Sequence, residues 1–249
     1  MLNTHNKEIT SCPICDNSST EFYVTKNNYP FNRCKKCDFV FLHPMPNQNT
    51  LNEQYENTND SELFEPTYNK SSSRLRRAFI KLPRFIPYAF NKNTLDLGCG
   101  GGFIAHVLSL VAKSSTGIDI SQKSIKYAKS RFKKATYIYS DFVSLLKTTK
   151  KYDFIYSSEV IEHVSDVNLY MKTLAHLIKK GGYTYITTPD IGHPKVPQNI
   201  LDWDVFWPPI HVQHFNKKTV STLFEKYGFK IIKFYKNKKP GLIFLSKKL

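Results

Sequence analysis

No stretch of 18 or more consecutive apolar residues occurs in this 249-residue sequence, so no membrane-spanning helix is expected. The first ten residues, Met1 to Thr10, also lack the apolar stretch of a secretory signal. A cytoplasmic protein with no membrane insertion is the expectation. Acids are scarce: 20 Asp and Glu stand against 36 Lys and Arg, for a formal net charge of +16. Such an excess serves nucleic acid, anionic lipid or a phosphorylated substrate, or it is simply a solvated lysine-rich surface. Lys123, Lys126, Lys129 and Lys133 recur at helical spacing and fit the solvated surface. The cluster Arg74, Arg76, Arg77, Lys81 and Arg84 is the exception it covers least. Glycine is sparse at ten, yet four of the ten fall between Gly98 and Gly102. Hydrophobic content of 41% and aromatic content of 14% supply a packed core, enough for one large domain or a medium one with a small appendage.

Of only five cysteines, four form Cys12-Pro-Ile-Cys15 and Cys34-Lys-Lys-Cys37. Two thiolates three positions apart on a tight turn bind one metal ion, and a hairpin brings the second pair alongside to complete a tetrahedron. Disulfides do not suit a cytosolic protein, and a redox site needs one such pair rather than two. All four positions act as ligands, so the expected zinc is structural and takes no part in catalysis. Phe22, Tyr23, Tyr29, Phe31 and Arg33 lie between the pairs. They could stack bases, but a module this small needs them as its core.

After a connector with a helix at Ser71–Leu82, closed by Pro83 and Pro87, short apolar strands alternate with helical stretches. Strands are expected near 94–97, 115–118, 136–139, 153–157 and 182–187, and helices near 103–112, 122–132, 142–146, 167–179 and 217–227. This alternation means a parallel sheet with crossover helices, and the ending at 229–235 and 242–246 reads as a hairpin. The predicted division is a zinc ribbon at 1–43, a connector and helix at 44–92 that help cover the active site, and an α/β domain at 93–249.

Between the first strand and helix of that domain stands Gly98-Cys-Gly-Gly-Gly102. Backbone without side chains lets a ligand approach, and the helix N-terminus offers free N–H groups. A dinucleotide fold wants a third glycine where Phe103 stands. Asp119, 21 residues after Gly98 at the end of the second strand, suits two ribose hydroxyls. Asp141 and Phe142 follow the third strand, where an adenine could be received.

Taken in order, Leu95–Gly102 with Asp96, Gly117-Ile-Asp-Ile-Ser121, Ser140-Asp-Phe142, Tyr152 to Val164 and Gly181 to Pro189 resemble the successive motifs of class I S-adenosylmethionine-dependent methyltransferases. The resemblance implies a Rossmann-like α/β fold: a seven-stranded, mostly parallel sheet with its last strand antiparallel, here joined to the small N-terminal zinc ribbon. It implies S-adenosyl-L-methionine as cofactor, with S-adenosyl-L-homocysteine as product. It puts Gly98 and Gly100 at the methionine moiety, Asp119 at the ribose, Asp141 and Phe142 at the adenine and Ser157 near the sulfonium, with Asp96 and Ile120 in the same cofactor set. A looser resemblance, carried by the ribbon ahead of the domain, is to small-molecule methyltransferases of sugar and surface-glycan (polysaccharide) pathways.

Methyl transfer to a hydroxyl needs a base, and His163, His211 and His214 are the candidates, all beyond the carboxyl ends of strands. His211-Val-Gln-His214 as a catalytic metal site lacks a carboxylate at suitable spacing. The segment 190–215 is long for a loop and is predicted to form a lid over the acceptor. Trp203, Phe206 and Trp207 are its expected walls, with Tyr55 and Tyr68 closing the other side. The expected acceptor is an oxygen of a sugar, nucleotide-linked or phosphorylated small molecule, an anionic one in keeping with the charge. The alternative is RNA or DNA methylation through the ribbon and the arginine cluster. Against nucleic acid, Ser157-Ser-Glu159 stands where a base-methylating Asn/Asp-Pro-Pro-Tyr/Phe run would be.

Overall fold

A computed structural model of the chain describes residues 10–57 and 71–249, with the backbone alone at 53–57. Tyr68 and the side chain of Tyr55 therefore lie outside the described residues. In chain order the elements are β1 (Thr20–Lys26), β2 (Tyr29–Cys34), β3 (Val40–Leu42), α1 (Gln48–Asn57), α2 (Ser71–Ala89), β4 (Asn93–Leu97), α3 (Phe103–Leu108), β5 (Ser114–Asp119), α4 (Gln122–Arg131), β6 (Thr136–Tyr139), α5 (Phe142–Leu145), β7 (Tyr152–Ser158), α6 (Val167–Leu177), β8 (Ile178–Pro189), β9 (Gln213–His214), α7 (Lys217–Lys226), β10 (Phe229–Phe234) and β11 (Gly241–Lys248).

The large sheet has seven strands in the order β10-β11-β8-β7-β4-β5-β6, mostly parallel with antiparallel last strands, as expected for a Rossmann-like α/β fold. At its centre β4 is parallel to both neighbours, with Asp96 opposite Gly117 of β5 and Tyr156 of β7. Thr94, Leu95, Asp96 and Leu97 are all buried, the pattern of a strand covered on both faces. Parallel register brings the carboxyl ends of β7, β4, β5 and β6 to one edge. Ser157, Gly98, Asp119 and Asp141 stand there.

Two compact units divide the chain. The first gathers 1–58, 159–171 and 187–244; the second gathers 59–158, 172–186 and 245–249. In the first, β1 and β2 join through Asn27 and Asn28, both left-handed at φ 52° and 64°, the geometry that matches hairpin twist. β3 adds to β2, and β9 adds to β3 through Val40 opposite His214. α7 starts at a capping box in which Asn216 and Thr219 satisfy each other's backbone N–H groups. It ends before Gly228, left-handed at φ 73°, as its sequence foretold.

In the second unit α2, α3 and α4 share a core of Ala78, Phe103, Ala105, Val107, Ile125, Ala128 and Phe132. The expected end of α2 at Leu82 is overturned: the helix runs through Pro83 and Pro87 to Ala89. Both prolines are solvent-facing, so the carbonyls they leave unpaired can turn to water. Phe85 and Ala89 are fully buried, and Phe85 packs within 5.1–5.8 Å of Phe154, Tyr156 and Tyr185. Burial of that aromatic outweighs the lost hydrogen bonds. Among the described residues no helix is long and apolar enough to cross a membrane.

Candidate functional site

Both cysteine pairs of the first unit adopt the same turn. In each, the residue after the second cysteine is a left-handed aspartate, Asp16 at φ 56° and Asp38 at φ 63°, and its N–H donates to the first cysteine's carbonyl at 2.9 Å. The repeated Cys-x-x-Cys-Asp was visible in the sequence as a signal for this knuckle. The sulfurs of Cys12 and Cys37 lie 3.6 Å apart, as do those of Cys15 and Cys34, and all four are within 4.8 Å of one another. A tetrahedron with Zn–S bonds of about 2.3 Å has sulfur–sulfur edges of about 3.8 Å, so the four residues fit a zinc ion. Arg33 pairs with Asp38 at 2.8 Å and Lys226 with Asp16 at 2.9 Å, which ties the knuckles to β2 and α7.

In the second unit the glycine run turns sharply from β4 into α3. Gly102, at φ 79°, has no room for a side chain: a Cβ would meet Tyr137 at 2.5 Å and Ala128 at 2.8 Å. Gly100, at φ 48°, faces open space: a Cβ there would meet no atom within 4 Å, so the turn is a cradle of bare backbone. Its N–H donates to Asp119 Oδ2 at 2.7 Å, and Ser121 N–H donates to Oδ1 at 2.8 Å. These bonds aim the carboxylate while burial pushes its pKa up. Ser157 is buried at the end of β7 with no partner for its hydroxyl among the described residues, an orphan that a ligand at this edge would satisfy. Bare backbone, an aimed carboxylate and an orphaned hydroxyl suit the amino-acid and ribose parts of S-adenosylmethionine.

Two expected cofactor residues are otherwise engaged. Asp96 is buried and its Oδ2 accepts the Ala105 N–H at 3.0 Å, which makes it an internal anchor for α3. Asp141 caps α5, with Oδ1 accepting from Ser144 N–H at 2.6 Å, and that bond holds its pKa down. Phe142 next to it is half-buried, and Ile120 is 46% exposed beside Asp119.

The expected histidines part company within the first unit. His163 and His211 lie side by side, ring centroids 4.7 Å apart. His163 Nδ1 donates to the Ile210 carbonyl at 2.9 Å and His211 Nδ1 to the Val205 carbonyl at 2.6 Å. A carbonyl only accepts, so both protons sit on Nδ1 and both Nε2 atoms present a lone pair. Burial and the neighbouring ring push His163 down to about 3, and burial lowers His211 too. His214 instead faces inward, 1% exposed, stacked on Phe206 at 4.4 Å and beside Phe31 at 5.7 Å. Buried among aromatics with its pKa held well down, it is core rather than an accessible base.

The carboxylate missing from the sequence reading is Glu162. It is fully buried, its Oε2 accepts from the Thr188 hydroxyl at 3.0 Å, and its Oε1 lies 3.8 Å from His163 Nε2. Ligand atoms of Glu162, His163 and His211 all fall within 4.8 Å of one another. Burial, then the charge of Glu159, pushes Glu162 well above the usual carboxylate range. Glu159 is a left-handed non-glycine at φ 54°, held by Thr187, whose hydroxyl donates to Oε1 at 2.8 Å. The signal was the run Glu159-Val-Ile-Glu-His163, in which a turn rather than a regular helix brings the second acid to the histidine.

In the segment 190–215, Trp203 is 4% exposed and Phe206 fully buried, 4.6 Å from Phe31. No atom of Phe206 is open, so an acceptor cannot touch it in this arrangement. Trp207 is half-buried. The arginine cluster also divides: Lys81 bonds the Tyr156 hydroxyl at 3.0 Å and Arg84 reaches Tyr185, whereas Arg76 and Arg77 face solvent.

A family model described as a methyltransferase domain matches residues 71–233. Among curated relatives, a ubiquinone biosynthesis O-methyltransferase from Pelagibacter ubique (strain HTCC1062) is 32% identical over 145 residues, covering 51% of this chain and 60% of that protein. One from Bartonella tribocorum (strain CIP 105476 / IBS 506) is 27% identical over 156 residues, covering 55% and 63%. The matched stretch thus spans about 60% of the length of these relatives. Among solved structures, magnesium protoporphyrin IX methyltransferase from Synechocystis PCC 6803 with bound S-adenosylmethionine aligns with a TM-score of 0.57 at 14% identity, over 82% of this chain and 98% of that one. An S-adenosylmethionine-dependent methyltransferase from Clostridium acetobutylicum ATCC 824 aligns at 0.55 and 14% identity, over 79% and 98%. At such identity the likeness is one of fold.

Proposed function

Because this chain belongs to the class I S-adenosylmethionine-dependent methyltransferases, we propose that it transfers the cofactor's methyl group to an oxygen of a small molecule. The observation that carries the reading is the cradle at Gly100, with Asp119 aimed by two backbone N–H groups and Ser157 lacking a partner. Bound S-adenosylmethionine supplies a methyl carbon made electrophilic by a positive sulfur. Gly100 leaves room for its backbone-like end, Asp119 offers its remaining lone pairs to the ribose, and Ser157 satisfies its hydroxyl there. The relatives' names support oxygen as the methylated atom. They do not support the sugar and glycan pathway expected from the ribbon, since both are named for ubiquinone biosynthesis.

For the acceptor side we propose the cluster Glu159, Glu162, His163 and His211, of which Glu159 alone follows Ser158, the last residue of β7, directly in the chain. Two imidazole lone pairs and a buried carboxylate converge there, a donor set that fits a divalent cation. Such an ion supplies Lewis acidity that eases proton loss from an acceptor hydroxyl. The residues' part is to fix the ligand geometry: carbonyls 205 and 210 hold the rings, and Thr188 holds Glu162. Without an ion, His211 Nε2 is the acceptor for that proton, the second reading that its lone pair supports.

A turnover screen tests both. S-adenosylhomocysteine release is measured against phenolic acceptors, nucleotide-linked sugars and RNA, in added magnesium, in manganese and in metal-free buffer. Turnover confined to small hydroxyl compounds supports the proposal; turnover only with RNA overturns it. Glu162→Gln and His211→Ala should each lower kcat by about 100-fold or more while leaving S-adenosylhomocysteine affinity within twofold, an effect of the size seen when a metal's supporting ligands are lost. Dependence on added cation selects the cation reading, and indifference selects His211 as base.

A further inference from the structure

One surface of the second unit holds none of the residues assigned above to the cofactor or the acceptor. Helix α2 presents Phe79 (42% exposed), Ile80 (64%) and Ile86 (39%) to solvent, and Phe90 (65%) continues the same turn through its N–H bond to the Ile86 carbonyl. Phe79, Pro83, Ile86 and Phe90 recur at intervals of four and three, so they form one stripe. Singly exposed apolar residues are ordinary, but three large ones and a proline on one helix face, with Ile80 at its margin, are not. Solvent-facing Arg76, three positions before Phe79, lies beside the stripe. Next to it opens a cavity of about 380 Å³ whose inner wall is Leu75, Phe103 and Phe132 and whose outer residues are Phe79, Arg76 and Arg131.

The charge around this face is one-sided. Between Ser71 and Ala135 stand thirteen Lys and Arg, and the only acids are Asp96 and Asp119. Both acids are held by backbone N–H groups at strand ends, so none offsets the arginines and lysines of α2 and α4. Lys123, Lys126, Lys129 and Arg131 all belong to α4, in the same helical layer.

We propose that the α2–α4 face of the second unit docks on an anionic lipid surface, with Arg76 and Arg131 receiving lipid phosphates and Phe79, Ile80, Ile86 and Phe90 entering the headgroup boundary. A basic helix with a bulky apolar stripe binds in the plane of such a boundary without crossing it, and each arginine near the surface adds about fivefold in affinity. Nucleic acid would use the charge and the two phenylalanines but leave Ile80, Pro83 and Ile86 unpaired. A second copy of this chain would bring the same positive face against itself.

Vesicle co-sedimentation of the full chain tests this, with phosphatidylcholine alone and with phosphatidylglycerol added. Binding is expected only with phosphatidylglycerol. Arg76→Ser with Arg131→Ser should weaken it by about 25-fold, and Phe79→Ser with Ile80→Ser by about tenfold or more. The control pair Lys238→Ser with Lys239→Ser, on the exposed β10–β11 turn, should stay within about twofold. Retained S-adenosylhomocysteine affinity verifies that each variant is folded. The proposal falls if the chain ignores phosphatidylglycerol vesicles, if the control pair weakens binding as much as the arginine pair, or if the apolar pair has no effect. It also falls if the apolar pair only converts a dimer to a monomer, or if the arginine pair weakens RNA binding alone.

Discussion

At the level of single residues, the second unit buries an acid that its fold keeps partly protonated. Burial raises Asp96 from 3.8 to about 7, against an opposing pull from the Ala105 N–H, and Asp119 adds to the rise. An acid with a raised folded pKa holds its proton longer folded than unfolded. The stability linked to it is full below about pH 4 and is lost as pH rises through about 7. Asp96→Asn keeps an oxygen for the Ala105 N–H and removes the titration. Urea unfolding should therefore show the variant gaining on the parent between about pH 5 and about pH 8, by on the order of 2 kcal/mol. An unchanged difference across that range would refute the assignment. Asp119→Ala removes the carboxylate aimed by Gly100 and Ser121, and calorimetry should find S-adenosylhomocysteine affinity at least about 100-fold weaker, with the loss of charge-assisted bonds to a buried ligand. The contact between Asp119 and Gly100 was legible from spacing, because a strand–turn–helix brings the end of the second strand beside the glycine turn. At Asp141 the sequence showed an acid after a strand, and the structure adds that the same position is the N-cap of α5.

At the level of elements, the glycine turn and the knuckles make opposite demands on the chain. Gly102 serves packing as well as conformation, since Tyr137 and Ala128 fill the space where a side chain would project. Gly102→Ala should cost about 2–4 kcal/mol in urea unfolding, the sum of left-handed strain and overpacking. The knuckles instead hold four sulfurs within 4.8 Å of one another, an arrangement that a metal ion accounts for. Metal analysis should find one zinc bound by thiolate, and cobalt exchange should produce thiolate-to-metal absorption that Cys37→Ser abolishes. Helix α2 shows the limit of reading proline as a stop. Pro83 and Pro87 face solvent, and burial of Phe85 carries the helix past them.

At the level of the whole molecule, the two units should respond separately to the two ligands. Zinc removal should raise hydrogen exchange in 10–57, 159–171 and 187–244, because β3–β9 pairing and the Lys226–Asp16 contact depend on the ribbon. S-adenosylhomocysteine should lower exchange around Gly98–Gly102, Asp119 and Ser157 in the second unit. Exchange that rises or falls uniformly across both units would contradict this. By itself the sequence determined the α/β sheet, the four-cysteine cluster and the methyltransferase family, because each rests on local periodicity or on residues at short, fixed spacing. Only tertiary structure decided which histidines lie beside a carboxylate. His163 and His211 are 48 positions apart, and the turn at Ile161–His163 and the chain carbonyls at 205 and 210 bring their lone pairs to Glu162. His214, three residues from His211, goes into β9 and the aromatic core. Spacing along the chain says nothing about which way a side chain faces once strands pair, and burial, which sets both pKa and access, exists only after the core has closed.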